Sequence, residues 1–179
     1  MTKDSYLDRW GAWYRKDASL AEYGDRVTYK IGAEFLKGLA VEDWGCGRGW
    51  FKTVHEGPYI GIDGTASEHA DIVADLREYR SETPGLWIRG VIEHNRDWKL
   101  VLENAVASAQ ERIAIVVFTP DGEGEQIGYT EELDVPDIAV PHKVIADAVK
   151  NAGFELEQYT MPTGSYYKEE TLFLGVRKQ

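Results

Sequence analysis

Nine residues, Val41-Glu42-Asp43-Trp44-Gly45-Cys46-Gly47-Arg48-Gly49, constrain this chain more than any other stretch. They read as the end of a buried strand running straight into a glycine-rich turn. Glycines at alternate positions allow a tight bend at positive φ, and they let a ligand approach where a Cβ would collide. A short helical stretch is expected from Trp50 to Val54. The turn would then present unpaired N–H groups and the positive end of a helix dipole. Asp43 is expected at the carboxyl end of the strand, where open α/β sheets bind their ligands. A dinucleotide fold needs glycines at relative positions one, three and six. Gly45 and Gly47 satisfy two of these, but Trp50 holds the sixth place, and its indole obstructs close helix–strand packing. The bland alternative is a strand followed by a bare turn with no ligand.

Two more apolar runs end in acids. Tyr59-Ile60-Gly61-Ile62-Asp63-Gly64 places Asp63 eighteen residues beyond Gly45. That is close to the interval of about 20 at which doubly wound folds set the carboxylate that accepts ribose hydroxyls. Asp71-Ile72-Val73-Ala74-Asp75-Leu76 repeats the pattern. Leu86 to His94 reads as a fourth strand closing on Glu93 and His94, and Ile113 to Phe118 as a strand buried on both faces.

The pattern acid-x-Gly-x-Gly-x-Gly resembles motif I of the class I S-adenosylmethionine-dependent methyltransferases, and the likeness covers about residues 25 to 178. It implies an α/β, Rossmann-like, doubly wound and mostly parallel seven-stranded sheet, with an antiparallel last strand and helices on both faces. It also implies S-adenosyl-L-methionine as cofactor, with Asp43, Gly45, Cys46, Gly47 and Gly49 around its amino-acid half. Asp63, with Gly64 beside it, falls on the motif II acid. Asp75 and Leu76 match the acid and backbone N–H that hold adenine. Glu93 and His94 resemble the Glu-His pair beside the transferable methyl, and Arg89 and Gly90 would run along the methionine portion. In relatives an aromatic N-terminal helix often covers the cofactor, so Trp10, Trp13 and Tyr14 are candidate lid residues within residues 1–24.

The rest of the chain supplies packing. Tyr6, Trp10, Trp13 and Tyr14 share one helical face, for which core packing is the competing reading. Val27, Ile31, Phe35 and Leu39 recur four apart, with Asp25 as the expected N-cap and Gly38 near the end. Arg77 to Gly85 is charged and breaks at Pro84-Gly85, so little helix is expected there. A helix face follows in Trp98, Val101, Leu102, Ala105, Val106 and Ala109. Residues 121 to 137 carry Asp121, Glu123, Glu125, Glu131, Glu132, Asp134 and Asp137 with no Lys or Arg. They read as an irregular, solvated loop, or else as a wall of the substrate entrance. A helix over Pro141 to Ala152 and two final strands, Phe154 to Met161 and Thr171 to Lys178, complete the chain.

At 179 residues this is expected to be one domain, burying roughly 70% of its unfolded surface. A net charge of −11 argues against a broad phosphate-binding face. Cys46 is the only cysteine, so an intrachain disulfide and a cysteine-based zinc site are both excluded. His55, His69 and His142 show no ligand spacing, and no metal is assigned. Met1 to Trp10 lacks the pattern of a signal peptide, and no apolar run approaches a membrane span, so a cytoplasmic protein is expected.

Methyl transfer is an in-line displacement in which alignment supplies roughly 7–11 kcal/mol. A general base adds about 10²–10⁴-fold. His94 is the best-placed base, with Glu93 as its holder or as a helix cap. Three functions follow. The first is transfer of a methyl group to an O or N atom of a small molecule. The second is nucleic-acid methylation, disfavoured by the charge and by the missing Asn/Asp-Pro-Pro-aromatic and Pro-Cys motifs. The third is a catalytically silent cofactor-binding or interaction protein.

Overall fold

The computed structural model describes residues 5–16, 27–131 and 133–178. The expectations for Asp25, for residues 1–4 and 17–24 of the lid segment, and for Glu132 lie outside the described residues. Helix α1 spans Ser5–Lys16 and α2 spans Val27–Phe35. Strands β1 (Val41–Trp44), β2 (Tyr59–Asp63), β3 (Ile72–Val73) and β4 (Thr83–Arg89) follow, then α3 (Trp98–Ser108) and β5 (Ala109–Val117). Next come β6 (Gln126–Thr130), β7 (Val135–Ile138), α4 (His142–Asn151), β8 (Phe154–Pro162) and β9 (Glu169–Arg177).

Seven strands form one sheet in the order β3-β2-β1-β4-β5-β9-β8. The pairs from β3 to β5 are parallel, whereas β9 is antiparallel to both β5 and β8. Only β9 therefore runs against the rest, as the family resemblance implies. Alternation divides the core between the two faces. Leu86 and Ile88 of β4 point to the face covered by Trp98, Val101, Leu102 and Ala105 of α3 and by Ile145 and Val149 of α4. Trp87 points to the other face, with Leu36, Phe51, Ala114 and Leu174. Its indole stacks on Phe51 with centroids 4.4 Å apart. It also occupies the space above Gly32 of α2, where a Cβ would lie 2.0 Å from Trp87 Cζ3. Close seating of α2 on β4 therefore requires glycine at position 32.

Three local expectations are corrected. First, β4 begins at Thr83 and runs through Pro84-Gly85, where a break was expected. Pro84 sits where the β4–β5 register shifts, and Gly85 donates its N–H to Ala40 O at 3.0 Å, so the irregularity stays at one strand end. Second, β4 stops at Arg89, because Gly90 turns the chain at φ +64°. Glu93 and His94 then sit on a 3₁₀ turn, Ile92–His94, and not on a strand. Third, the acidic stretch contains the antiparallel pair β6–β7 rather than irregular chain throughout. Its apolar alternation is interrupted by Gly128, Pro136 and acids, which hides the strands from pattern reading. Among the described residues no helix is long and apolar enough to cross a membrane.

Candidate active site

The glycine turn leaves β1 at the carboxyl edge of the sheet. Gly45 and Cys46 both donate their N–H to Ile62 O of β2, at 2.7 and 3.1 Å. This pins the bend to the neighbouring strand tip. Gly45 lies at φ +75° and Gly47 at φ +52°. A Cβ at Gly45 would fall 2.3 Å from Val91 Cγ2, and one at Gly47 would fall 3.3 Å from the Tyr14 hydroxyl. Cys46 is buried and directs its thiol at His69 O, 3.5 Å away. Burial, reinforced by Asp43 and Asp63, pushes that thiol up, so it stays protonated.

The acids at the strand tips differ in role. Asp63 accepts the N–H of Gly47 at 3.0 Å and that of Thr65 at 2.9 Å. Burial raises it to about 6, with both hydrogen bonds opposing the rise. Asp75 accepts the Arg77 guanidinium at 2.6–3.1 Å and the Arg77 N–H at 3.0 Å. Asp43 does not line the crevice. Asp43 is 4% exposed, and its carboxylate accepts the Tyr59 hydroxyl at 2.8 Å. Burial pushes it up to about 7, opposed by the Tyr59 bond and aided by Asp63. The expected three-acid rim is thus a two-acid rim with the third acid underneath. Gly49 also lies off the crevice, with its α-carbon facing the His69 ring.

Two cavities meet at these tips. The broad one, ≈ 250 Å³, is lined by Tyr29, Cys46, Gly47, Arg48, Trp50, Arg89, Phe118, Ser165 and Tyr166. The narrow one, ≈ 80 Å³, is lined by Asp63, Gly64, Asp75, Leu76, Val91 and Asn95. Trp10, Tyr14, Gly45, Gly90 and His94 line both, so the two are arms of one crevice. Helix α1 lies across the junction. The Arg48 guanidinium sits 4.2 Å over the Trp13 ring, and Trp10 is 5.9 Å from the His94 ring. Arg9 pairs with Asp134, between β6 and β7, at 3.3 Å.

At the junction His94 presents an ordered imidazole. Its Nδ1 lies 3.1 Å from Pro136 O and 3.2 Å from Asp137 Oδ1. Asp137 Oδ2 in turn accepts the Tyr167 hydroxyl at 2.9 Å. Burial works against the imidazolium, but Asp137, Glu93 and the Pro136 carbonyl outweigh it and raise His94 above the ordinary imidazole range. Asp137 moves the other way: burial opposes its charge, but His94 and Tyr167 hold it below the ordinary carboxylate range. Glu93, expected to hold the imidazole, lies fully buried outside both arms and accepts the Phe118 N–H at 2.8 Å. Burial keeps its carboxyl raised, with His94 opposing. Glu93 anchors the 3₁₀ turn to the end of β5, and the carboxylate partner of His94 is Asp137.

Arg89 reaches the broad arm with its charge already matched. It donates from Nη2 to Glu170 Oε1 at 2.6 Å and from Nη1 to the Tyr29 hydroxyl at 3.0 Å. The sequence pattern did not single out Tyr29, Arg48, Trp50, Phe118, Ser165, Tyr166 or Asp137. Arg48 stands inside the glycine motif and Trp50 directly follows it, so both could have been read from it. Asp137 carries no local signal, being one of seven acids in its stretch.

No family model matches the chain, and no curated protein sequence matches it. Solved structures do. One is magnesium protoporphyrin IX methyltransferase from Synechocystis with S-adenosylhomocysteine bound. It is 15% identical with a TM-score of 0.67, over 99% of this chain and all of that one. A second is 1,6-didemethyltoxoflavin-N1-methyltransferase from Burkholderia thailandensis, bound to its namesake compound and S-adenosylhomocysteine. It is 16% identical with a TM-score of 0.66, over 98% of this chain and 85% of that one. The [4+2]-cyclase SpnF is similar as well, at 8% identity and a TM-score of 0.64, over 97% and 93%. At these identities the fold is what is shared, and it is the Rossmann-like fold of the class I methyltransferases.

Proposed function

We propose that this protein is an S-adenosyl-L-methionine-dependent methyltransferase that transfers a methyl group to an oxygen or nitrogen of a small molecule, as a single cytoplasmic domain. The observation that carries this reading is the two-armed crevice, which gives room for two ligands meeting end to end at His94 and Gly90. The residues fit the cofactor. Gly45, Gly47 and Gly90 leave the floor bare where a Cβ would intrude. Asp63 keeps spare lone pairs for ribose hydroxyls, since each carboxylate oxygen here accepts one backbone N–H. Asp75 and Leu76 flank the narrow arm as an adenine site would require. Trp10 and Tyr14 cover the junction and exclude water from it.

When bound, the cofactor supplies an electrophilic methyl on a sulfonium. The chain contributes alignment, worth roughly 7–11 kcal/mol, and a base in His94 worth about 10²–10⁴-fold. The small-molecule acceptor enters the broad arm. The acids of the β6–β7 stretch repel a phosphate backbone, which sets nucleic-acid methylation aside. The similarity to a [4+2]-cyclase, a protein whose name is not that of a methyltransferase, favours a second reading, a catalytically silent cofactor-binding protein.

Calorimetry with S-adenosylhomocysteine tests the proposal. Saturable micromolar binding is expected, weakened at least about 100-fold, or roughly 2.7 kcal/mol, by Gly47→Leu. Absence of binding to the wild type removes the methyltransferase reading. Binding with no labelled product across a broad acceptor panel favours the silent one.

A further inference from the structure

We infer that the acceptor atom is the oxygen of a hydroxyl on an aromatic ring, held against His94 Nε2 by an imidazole that Asp137 orients. The inference rests on the methyl-transfer reading and adds the class of substrate to it.

The argument starts from the tautomer. His94 Nδ1 faces two hydrogen-bond acceptors, the Pro136 carbonyl and the Asp137 carboxylate. Neither has a hydrogen to give, so Nδ1 carries the ring proton. Nε2 is then the nitrogen available to the crevice, and among the described residues no hydrogen bond is made to it. The charged groups facing the ring are Asp137 from β7 and Glu93 beside it, with Arg89 acting on Glu93. The rings of Trp10 and Phe118, centred 5.9 and 5.2 Å away, close the other sides.

In-line displacement requires one lone pair of the nucleophile to point at the methyl carbon. A neutral amine has only that pair, so it cannot also accept a hydrogen bond from a protonated Nε2. A hydroxyl oxygen has two, and it suits either form of the imidazole. It gives its proton to a neutral Nε2, or as an oxyanion accepts a hydrogen bond from an imidazolium. In the balanced step, the O–H proton passes to Nε2 and the oxygen forms the new O–C bond. The C–S bond of the cofactor breaks with its electron pair left on sulfur, and Nε2 later returns the proton to water. A phenolic hydroxyl ionises about three to four units above an imidazole, within reach of such a base, whereas an alkyl hydroxyl does not. The broad arm matches a flat ring, being walled by Trp10, Tyr29, Trp50, Phe118 and Tyr166.

The experiment titrates the protein, saturated with S-adenosylhomocysteine, with 4-nitrophenol and with the isosteric 4-nitroaniline, following absorbance and heat. The phenol is expected to bind at least about tenfold tighter than the aniline. It should show a phenolate band at a pH where the free compound is largely un-ionised. His94→Gln, titrated at S-adenosylhomocysteine concentrations that saturate it, is expected to lose both the band and the preference. Asp137→Asn is expected to keep cofactor affinity while the ionisation of the bound phenol returns toward its free value. Equal binding of the two probes overturns the inference, as does a band that survives in His94→Gln, or product-analogue binding with neither probe bound. Failure of S-adenosylhomocysteine to bind at all removes the methyl-transfer reading first, and the inference with it.

Discussion

The two arms of the crevice are built from different materials. The narrow arm follows the strand tips: Gly45, Gly64 and Gly90 leave backbone bare, and N–H groups are turned onto Asp63. The broad arm is largely side chains brought from far apart, with α1, α2, the end of β5 and the turn between β8 and β9 each contributing a wall. Backbone geometry repeats wherever the same turn is made, so the narrow arm suits an invariant ligand. Side-chain walls change one residue at a time, so the broad arm suits a ligand that differs between relatives.

This contrast is most exposed at the Arg89–Glu170 pair, which holds the floor of the broad arm. The two side chains are 8% and 0% exposed and meet at 2.6 Å. Glu170→Ala removes the carboxylate that balances a buried guanidinium and is expected to cost about 3–5 kcal/mol, measured by urea unfolding. Replacing both residues, Arg89→Met with Glu170→Leu, is expected to recover most of that loss. A cost under about 1 kcal/mol for the single change would mean that water reaches Arg89, and the broad arm would not be a side-chain construction sealed from solvent.

The matching test of the narrow arm is Gly45→Ala. A residue with a Cβ at φ +75° is strained by about 1–3 kcal/mol, and here the Cβ also meets Val91 Cγ2 at 2.3 Å. Loss of about 2–4 kcal/mol is expected. Gly45→Ala combined with Val91→Ala relieves the contact but not the strain, so only part of the loss should return. Full recovery would mean that packing, and not the bend, sets this arm.

The same division explains what could be read from the sequence. Gly45, Gly47 and Asp63 carry local signals: glycines at a fixed interval, and an acid closing an apolar run. The acid-tipped apolar runs marked the first strands, whereas the mostly parallel seven-stranded sheet came from the resemblance that the glycine motif carries. Asp137 was hidden because its role depends on β6–β7 folding back until Pro136 and Asp137 face a 3₁₀ turn from another part of the chain. Glu93 was misplaced for a related reason. A strand ending at His94 would have put its neighbour on the opposite face, whereas the turn at Gly90 swings Glu93 under the end of β5. Asp43 fits its motif, but strand alternation directs it to the Tyr59 side, beneath the rim.

Asp43 yields a prediction with a defined sign. Its ordinary value is 3.8, and burial raises it to about 7 in the fold. The folded state therefore holds this proton over a range where the unfolded chain has released it. Stability falls as pH rises from about 4 to about 7, and the penalty is complete above that. Asp63 adds the same trend between about 4 and about 6. Asp43→Asn keeps an acceptor for Tyr59 and removes the ionisation. It is expected to gain about 1–3 kcal/mol at pH 8 and almost nothing at pH 4, by thermal or urea unfolding at both. A loss of stability at pH 8 would mean that the Asp43 charge is balanced within the fold and that the narrow arm relies on it.

The smallest effect is expected where the two constructions touch, at the Arg9–Asp134 pair that ties α1 to the β6–β7 segment. Arg9 is 42% exposed on its side chain and Asp134 23%, so solvent and salt screen the pair heavily. Such contacts contribute about 0–1 kcal/mol. Arg9→Ala should leave the unfolding midpoint within about 0.5 kcal/mol of the wild type. Its effect should appear in kinetics: S-adenosylhomocysteine is expected to dissociate about twofold faster at low ionic strength, with the difference gone near 1 M salt, where the screening length is about 3 Å. A global loss above about 1 kcal/mol would mark α1 as core, packed as tightly as α3, rather than a cover over the junction. Trp10 and Tyr14 would then line the crevice as fixed walls, and the broad arm would owe its shape to the same permanent scaffold as the narrow one.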